Sequence, residues 1–385
     1  MKRYGNLWHS LIAFDNLLLA WRKARKGKTQ KAAVAEFALN LERELFNLQY
    51  QLQQQTWQPS PYRLFTIYER KPRQIAAAPF RDRVVHHALM NIIDPLLDKT
   101  FIYDSYACRI GKGVHQAVNR YQHWSQRYAY VLKLDVSRYF PSIDHAILKQ
   151  LLRRKIKDKK VLWLFDQIIE QAPRYPIQAV YFPNDDLLTP LERRVGLPIG
   201  NLTSQFLANL YLDGLDHTIK EDLRVKAYLR YVDDLFLLSN DKQRLHDWQQ
   251  QIQQYLQRLR LCLHPAKINL FRVNEGIDVL GYRVFPSHRL LRNDNGYRFA
   301  RRLRQFATEY EKGRLEWADF NPSVQSWIGH ASQANTLGLR EAIFSATVFT
   351  RASGISLNPS CVARRFLEQQ TEQLAFGESQ QQQSR

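Results

Sequence analysis

Cysteine is scarce in this chain, and acid is scarce relative to base. Three cysteines, Cys108, Cys262 and Cys361, are all that 385 residues contain. Odd in number and widely spaced, they exclude a disulfide framework and a cysteine-ligated metal pattern, and they fit a reducing compartment. Asp and Glu total 36 against 56 Lys and Arg, leaving a net charge of +20. That excess suits a polyanionic partner, most simply nucleic acid, with an anionic membrane surface as the lesser reading. Long apolar runs are missing as well: none reaches membrane-spanning length. Residues 7–21 are apolar but interrupted by His9, Ser10, Asp15 and Asn16, so they do not read as a secretion signal. Tandem repeats are absent. The expectation is a soluble, intracellular protein with a sizeable core and two or three subdomains.

What is present is organised around residues 227–239, AYLRYVDDLFLLS. Two apolar, β-prone runs flank Asp233 and Asp234, which predicts a hairpin with an acidic tip. Rigid strands would fix both carboxylates, and fixed carboxylates suit hard divalent cations. An ordinary turn explains an Asp-Asp pair equally well when it stands alone. A second anchor lies in 128–145, where 128–136 reads as a strand with Asp135 at its end, ahead of Phe140 and a turn at Pro141. A strand-end carboxylate beside an acidic tip would gather three Asp around a pair of metal ions. Two metals ~3.5–4 Å apart can activate a hydroxyl and stabilise a leaving phosphate oxygen.

The remaining stretches are read in chain order. Residues 1–60 are expected to be helical, with Leu11, Phe14, Leu18 and Trp21 on one face and Phe37, Leu41, Leu45, Leu48 and Leu52 on another. The basic run 22–28 between them is either a solvated face or a nucleic-acid contact. Residues 62–75 predict a hairpin turning at 69–72, where Lys71 and Arg73 are either solvated charges or a grip on a triphosphate. Arg81-Asp82-Arg83 opens a helix through 84–97, and 105–115, with Arg109 and Lys112, is a glycine-containing basic loop able to follow a phosphate backbone. Asp144 is a helix cap or a surface residue rather than a ligand. A second acidic pair, Asp185-Asp186, lacks flanking strands and reads as loop. Residues 196–212 form a sharp glycine loop, after which Thr203 or Ser204 caps a helix. Residues 261–286 give a short strand, a turn carrying Lys267 and a hairpin ending at Gly281 and Tyr282. Six arginines in 289–306, including Arg298, Arg301 and Arg302, interleave with Tyr297, Phe299 and Phe306, a pattern suited to a phosphate groove with stacking surfaces. Residues 301–352 are expected to be helical with a break near Asn321-Pro322, and 377–385 to be disordered.

Tyr231-Val232-Asp233-Asp234 resembles the Tyr-x-Asp-Asp signature of reverse transcriptases, and Asp135 with Phe140 resembles their first palm motif. Residues 196–205, Lys267 and Leu280-Gly281-Tyr282 resemble further motifs of those enzymes, while 81–83 and 109–113 resemble finger segments of bacterial members. Within the family, Leu197-Pro198-Ile199-Gly200-Asn201-Leu202-Thr203-Ser204-Gln205 resembles the diversity-generating retroelement branch, since many other branches carry Gln-Gly where this chain has Ile199-Gly200.

The resemblance implies an α+β right-hand polymerase with helical fingers, an antiparallel β palm and a small helical thumb. Its division would be a basic helical extension over 1–60, fingers and palm over 61–290, a thumb over 291–376 and a tail over 377–385. It implies two Mg²⁺ ions held by Asp135, Asp233, Asp234 and the Val136 carbonyl. Phe140 would select dNTPs, Lys71 and Arg73 would hold the triphosphate, and Lys267 would stand near the pyrophosphate. Ile199, Gly200 and Gln205 would border the nascent base pair. Gly281 and Tyr282 would support the primer end, and Arg81, Arg109, Lys112, Arg298, Arg301 and Arg302 would meet primer or template. The implied partners are an RNA template, a DNA or RNA primer, dNTPs and a basic accessory protein, in a bacterial or phage-encoded cytoplasmic setting without a membrane. Two rivals are a retron or anti-phage defence polymerase, and a non-catalytic RNA-binding scaffold. The scaffold accounts for the charge but not for three aspartates with Phe140.

Overall fold

The computed structural model describes residues 3–68, 72–173, 175, 180–351 and 356–357. The chain divides into two units, Met1–Ala117 with Tyr128–Phe271, and Val118–Arg127 with Arg272–Arg385.

The larger unit opens with helices α1 (Trp8–Ile12), α2 (Phe14–Arg25), α3 (Ala32–Leu39) and α4 (Leu41–Gln53). The stretch 33–54 is thus two helices, divided at Asn40. Leu45, Leu48 and Leu52 bury one face of α4, the three-and-four spacing that an amphipathic helix needs. The hairpin of β1 (Arg63–Tyr68) and β2 (Pro72–Ala77) pairs Arg63 with Ala77 and Tyr68 with Pro72; its tip, with Lys71, lies outside the described residues. Helix α5 (Phe80–Leu97) follows and packs along α2. The buried Asn16 amide fixes that packing by donating to the carbonyls of Ala88 at 3.0 Å and Leu11 at 2.8 Å, so neither proton of that buried amide goes unmatched. Helix α6 (Val114–Ser125) is shared between the two units.

A four-stranded sheet occupies the middle of this unit: β3 (Tyr130–Asp135), β4 (Tyr228–Tyr231), β5 (Asp234–Ser239) and β6 (Asn269–Arg272), in the order β4-β5-β3-β6. Strands β3 and β5 are antiparallel with Asp135 opposite Asp234. Leu235, Phe236, Leu237 and Leu238 are all buried, an unbroken apolar run that only a strand covered on both faces tolerates. Between β3 and β4 come α7 (Tyr139–Ser142), α8 (His145–Lys155), α9 (Lys159–Glu170), α10 (Thr189–Glu192) and α11 (Leu202–His217). Asp144 caps α8, accepting from Ala146 at 2.8 Å and Ile147 at 3.1 Å. The cap of α11 differs from the expectation. The helix begins at Leu202 after Asn201, and Thr203 and Ser204 are buried inside its first turn. Helix α12 (Lys242–Arg258) packs against β3 and β5.

The smaller unit holds the three-stranded antiparallel sheet β7 (Ile277–Val279), β8 (Tyr282–Val284) and β9 (Arg289–Leu291). Three helices follow, α13 (Asn293–Glu311), α14 (Trp317–Ala331) and α15 (Leu337–Ser345), and then a short pairing of β10 (Phe349–Thr350) with β11 (Ser356–Leu357). Its core is aromatic: Phe299 stacks on Trp327 at 3.8 Å and Phe320 on Phe349 at 5.1 Å. The expected break at Asn321-Pro322 does not occur, because α14 runs through Pro322. Burial of Phe320, Val324 and Trp327 on one face outweighs the single hydrogen bond that proline removes. The helix interruptions fall instead at 312–316 and 332–336.

Candidate active site

Three backbone features set the acidic cluster. The β3–β5 register puts Asp135 opposite Asp234 at the ends of adjacent strands. The β4–β5 hairpin turns through Val232 and Asp233 alone. The Asp233 carbonyl accepts the Val136 N–H at 3.2 Å, tying the tip to the end of β3. Val232 has φ +57°. Positive φ at the first central residue of a two-residue hairpin is a position for glycine, and for a β-branched residue it costs on the order of 1–3 kcal/mol. The chain past Asp135 is held too: His264 donates to the Asp135 carbonyl and Ser137 to the Cys262 carbonyl, both at 2.8 Å.

The charges in the cluster do not cancel. Burial first, then the neighbouring Asp234 and Asp135 carboxylates, raise Asp233 to about 6. Burial also raises Asp234, while Lys133 and Lys267 pull it back. The Asp135 carboxylate is 2.6 Å from the ammonium of Lys267, on the single 3₁₀ turn Pro265–Lys267. Among the described residues no group of three His, Cys, Asp or Glu side chains is already drawn into a ready-made metal cluster. The donor set nonetheless fits hard divalent cations: oxygen ligands only, with the Asp233 and Asp234 carboxyls pushed up by burial and crowding and a lysine as local counter-charge.

Around the cluster, Phe140 is half-buried in α7, edge-on to Tyr139 at 5.8 Å. Its carbonyl accepts the Leu197 N–H at 2.9 Å. Gly196 has φ +103°, and a Cβ there would lie 2.3 Å from the ring of Tyr175, whose hydroxyl donates to the Leu197 carbonyl at 2.9 Å. The Ile199 carbonyl accepts from Ala76 of β2 at 3.1 Å, and Ile199 is half-buried while Gly200 is exposed, 3.0 Å (from a built Cβ) from Ile75. Asn201 completes this junction, donating to the Ala76 carbonyl at 3.1 Å and accepting from Ala78 at 3.4 Å. Gln205 lies half-buried in the first turns of α11.

Other residues singled out in the sequence stand elsewhere. Arg73 is exposed on β2, opposite Ile67. Arg81 pairs with Glu44 at 3.2 Å and Gln51 at 3.1 Å. Arg109 points inward, bonded to Asp98 at 2.5 Å and to the carbonyls of Ile102 and Ser105 at 2.7 and 2.9 Å, so it shapes its own loop. Lys112 donates to the Tyr103 carbonyl at 2.9 Å. In the smaller unit, Leu280 (φ +48°) and Gly281 (φ +98°) form the β7–β8 turn, and the buried Tyr282 hydroxyl meets His330 Nδ1 at 2.8 Å. Arg298, Arg301 and Arg302 are exposed on α13, with Arg298 paired to Asp294 at 3.2 Å. Sequence reasoning missed Asn201 and Arg230. The available signal for Arg230 was a charged residue inside an otherwise apolar strand.

Residues 66–284 match the reverse transcriptase (RNA-dependent DNA polymerase) family, and the chain belongs to that family. It is accordingly an RNA-directed DNA polymerase with the α+β right-hand polymerase fold. Protein YkfC of Escherichia coli is 26% identical over 273 residues, covering 63% of this chain and 69% of YkfC. Group II intron-encoded protein LtrA of Lactococcus lactis is 25% identical over 209 residues, covering 53% of this chain and 32% of LtrA. The chain thus spans about two thirds of the first relative and a third of the second. Among solved structures, telomerase from Candida albicans aligns over 65% of this chain and 49% of its own, with a TM-score of 0.40 and 12% identity. No helix among the described residues is long and apolar enough to cross a membrane.

Proposed function

We propose that the chain copies an RNA template into cDNA with frequent errors at template adenines, as the polymerase of a diversity-generating retroelement working in the cytoplasm with a basic accessory protein. The observation that carries this reading is Ile199. It stands next to Gly200 in the loop between α10 and α11, where its carbonyl, but no side-chain donor or acceptor, engages the neighbouring strand β2. A glutamine there could hydrogen-bond and hold the loop against the nascent pair; isoleucine cannot, and lost hydrogen bonds of about 1–3 kcal/mol lower discrimination.

Asp135, Asp233, Asp234 and the Val136 carbonyl are the groups that would hold two Mg²⁺ ions, which supply an activated primer hydroxyl and a stabilised leaving oxygen. Lys267, paired with Asp135, would turn toward the pyrophosphate. Lys71 and Arg73 grip the triphosphate, Phe140 obstructs a 2′-hydroxyl, and Gly200 and Gln205 border the pair. Arg81, Arg109 and Lys112 shape the segments that meet the template. Gly281, Tyr282 and the arginines of α13 serve the primer–template duplex from the smaller unit, which acts as the thumb. Positioning and electrostatics do the remaining work.

The test is cDNA synthesis by the purified protein on one primed RNA template with dNTPs and Mg²⁺. Sequencing should show errors concentrated at template adenines in the wild type and fewer in Ile199→Gln. Accurate copying of adenine, or equal error spectra, rejects the retroelement reading while leaving the polymerase assignment in place. A second reading, an intron-associated enzyme, is favoured by the likeness to LtrA. Neighbouring DNA bearing intron RNA domains instead of a template repeat and its variable copy would select it.

A further inference from the structure

Arg230 is the largest charged group in the core, with a side chain 0% exposed. Its guanidinium is fully engaged. Nε and Nη2 donate to the Asp216 carboxylate of α11 at 2.9 and 2.7 Å, and Asp216 also accepts from the Tyr228 hydroxyl at 2.6 Å. Nη1 donates to Asn209 Oδ1 at 3.2 Å and to the Val232 carbonyl at 3.0 Å. Nη2 reaches Ser105 Oγ at 3.2 Å. The backbone is locked as well, since Arg230 donates to Asp104 and accepts from Tyr106, both at 3.0 Å.

A buried ion pair is a poor device for stability alone, because apolar residues of similar size serve as well or better. The bond to Val232 is what an apolar residue could not make. Val232 is the residue in the left-handed conformation, its side chain disfavours that conformation, and the next residue is Asp233. We propose that Arg230 is a positioning residue for the acidic tip: anchored by Asp216, its fork holds the Val232 carbonyl and so fixes the strained turn that presents Asp233 beside Asp135. A lysine has one compact charge and cannot serve Asp216 and Val232 together.

This rests on the reading of Asp233 as a metal ligand, and the test separates the two. Mn²⁺ affinity is measured by the electron paramagnetic resonance of free Mn²⁺ in the full-length protein without nucleic acid, alongside melting curves. The variants are Arg230→Lys and the charge-free pair Arg230→Met with Asp216→Asn, in which the introduced side-chain amide could still accept from Tyr228. The expected result is cooperative melting with Mn²⁺ affinity weakened about tenfold or more, the range seen when outer support of a metal site is removed. A folded variant that keeps Mn²⁺ affinity within about twofold of wild type overturns the proposal, as does loss of cooperative melting in both variants, which would make the network a folding element only. If Asp233→Asn leaves Mn²⁺ affinity unchanged, the metal reading itself falls, and this proposal with it.

Discussion

The chain contains the dipeptide Asp-Asp twice in the larger unit, and the two pairs meet opposite electrostatic fates. Asp185 accepts the Phe182 N–H at 2.7 Å, pairs with Arg193, and has Arg260 at 3.6 Å. The Arg193 hydrogen bond foremost holds its carboxyl below the usual range. Asp186 turns back on its own chain, accepting from Thr189 N–H at 2.7 Å and Leu188 at 3.0 Å; the Thr189 bonds pull it down too. Asp233 and Asp234, by contrast, are pushed up. An acidic pair with donors around it is structural. One half-buried beside a third carboxylate is under-compensated by Lys133 and Lys267, and a bound cation would bring it to balance.

The largest expected effect that could break this contrast is on turnover. Asp233→Asn should reduce primer extension below detection, whereas Asp185→Asn should extend the same primer within about threefold of wild type at a temperature where both are folded. Comparable activity from both variants would erase the distinction. Next in size is stability at neutral pH without divalent cations, read as melting temperature. Asp185→Asn should melt lower, because it strips Arg193 and Arg260 of a shared carboxylate, and Asp233→Asn should melt higher. A residue that stabilises the fold when its charge is removed is being kept for another reason.

The smallest effect is in pH dependence. Asp233 binds its proton more tightly in the folded protein than in the unfolded chain, so its contribution is intact below about pH 4 and lost as pH rises through about 6. The loss is at most about 3 kcal/mol. Asp185 is held down, so its contribution is present above about pH 4 and lost as pH falls further. Melting of metal-free wild type should therefore decline between pH 4 and 7 relative to Asp233→Asn. Parallel curves would show that Asp233 ionises freely.

Much of the central geometry was legible because it is local. Alternating apolar residues placed β3, and two apolar, β-prone runs placed the β4–β5 hairpin, although its turn is Val232-Asp233 and the expected tip residue Asp234 already opens β5. The Asp144 cap was legible for the same reason, as its bonds reach two and three residues ahead. What escaped was decided by partners far away in sequence. Lys267 meets Asp135 across 132 positions, and Arg230 meets Ser105 across 125. Arg109 is indistinguishable in sequence from a phosphate contact until Asp98 and two carbonyls are seen to claim it. The α11 cap was misplaced because Thr203 and Ser204 are good capping residues whose burial outweighs that preference. Pro322 looked like a helix end until the aromatic face of α14 was in view.

Gly196 has a consequence for how this sequence can change over generations. Alanine at 196 collides with the Tyr175 ring, so the tyrosine would have to shrink first. A smaller residue at 175 abandons the Leu197 carbonyl that Tyr175 now serves. Even with the ring gone, a φ of +103° still resists any side chain. Neither order of substitution offers an easy first step, so a lineage that acquired both residues has little means of leaving them. The backbone at Gly196 and Leu197 is thereby held by a pair of residues that can change only together.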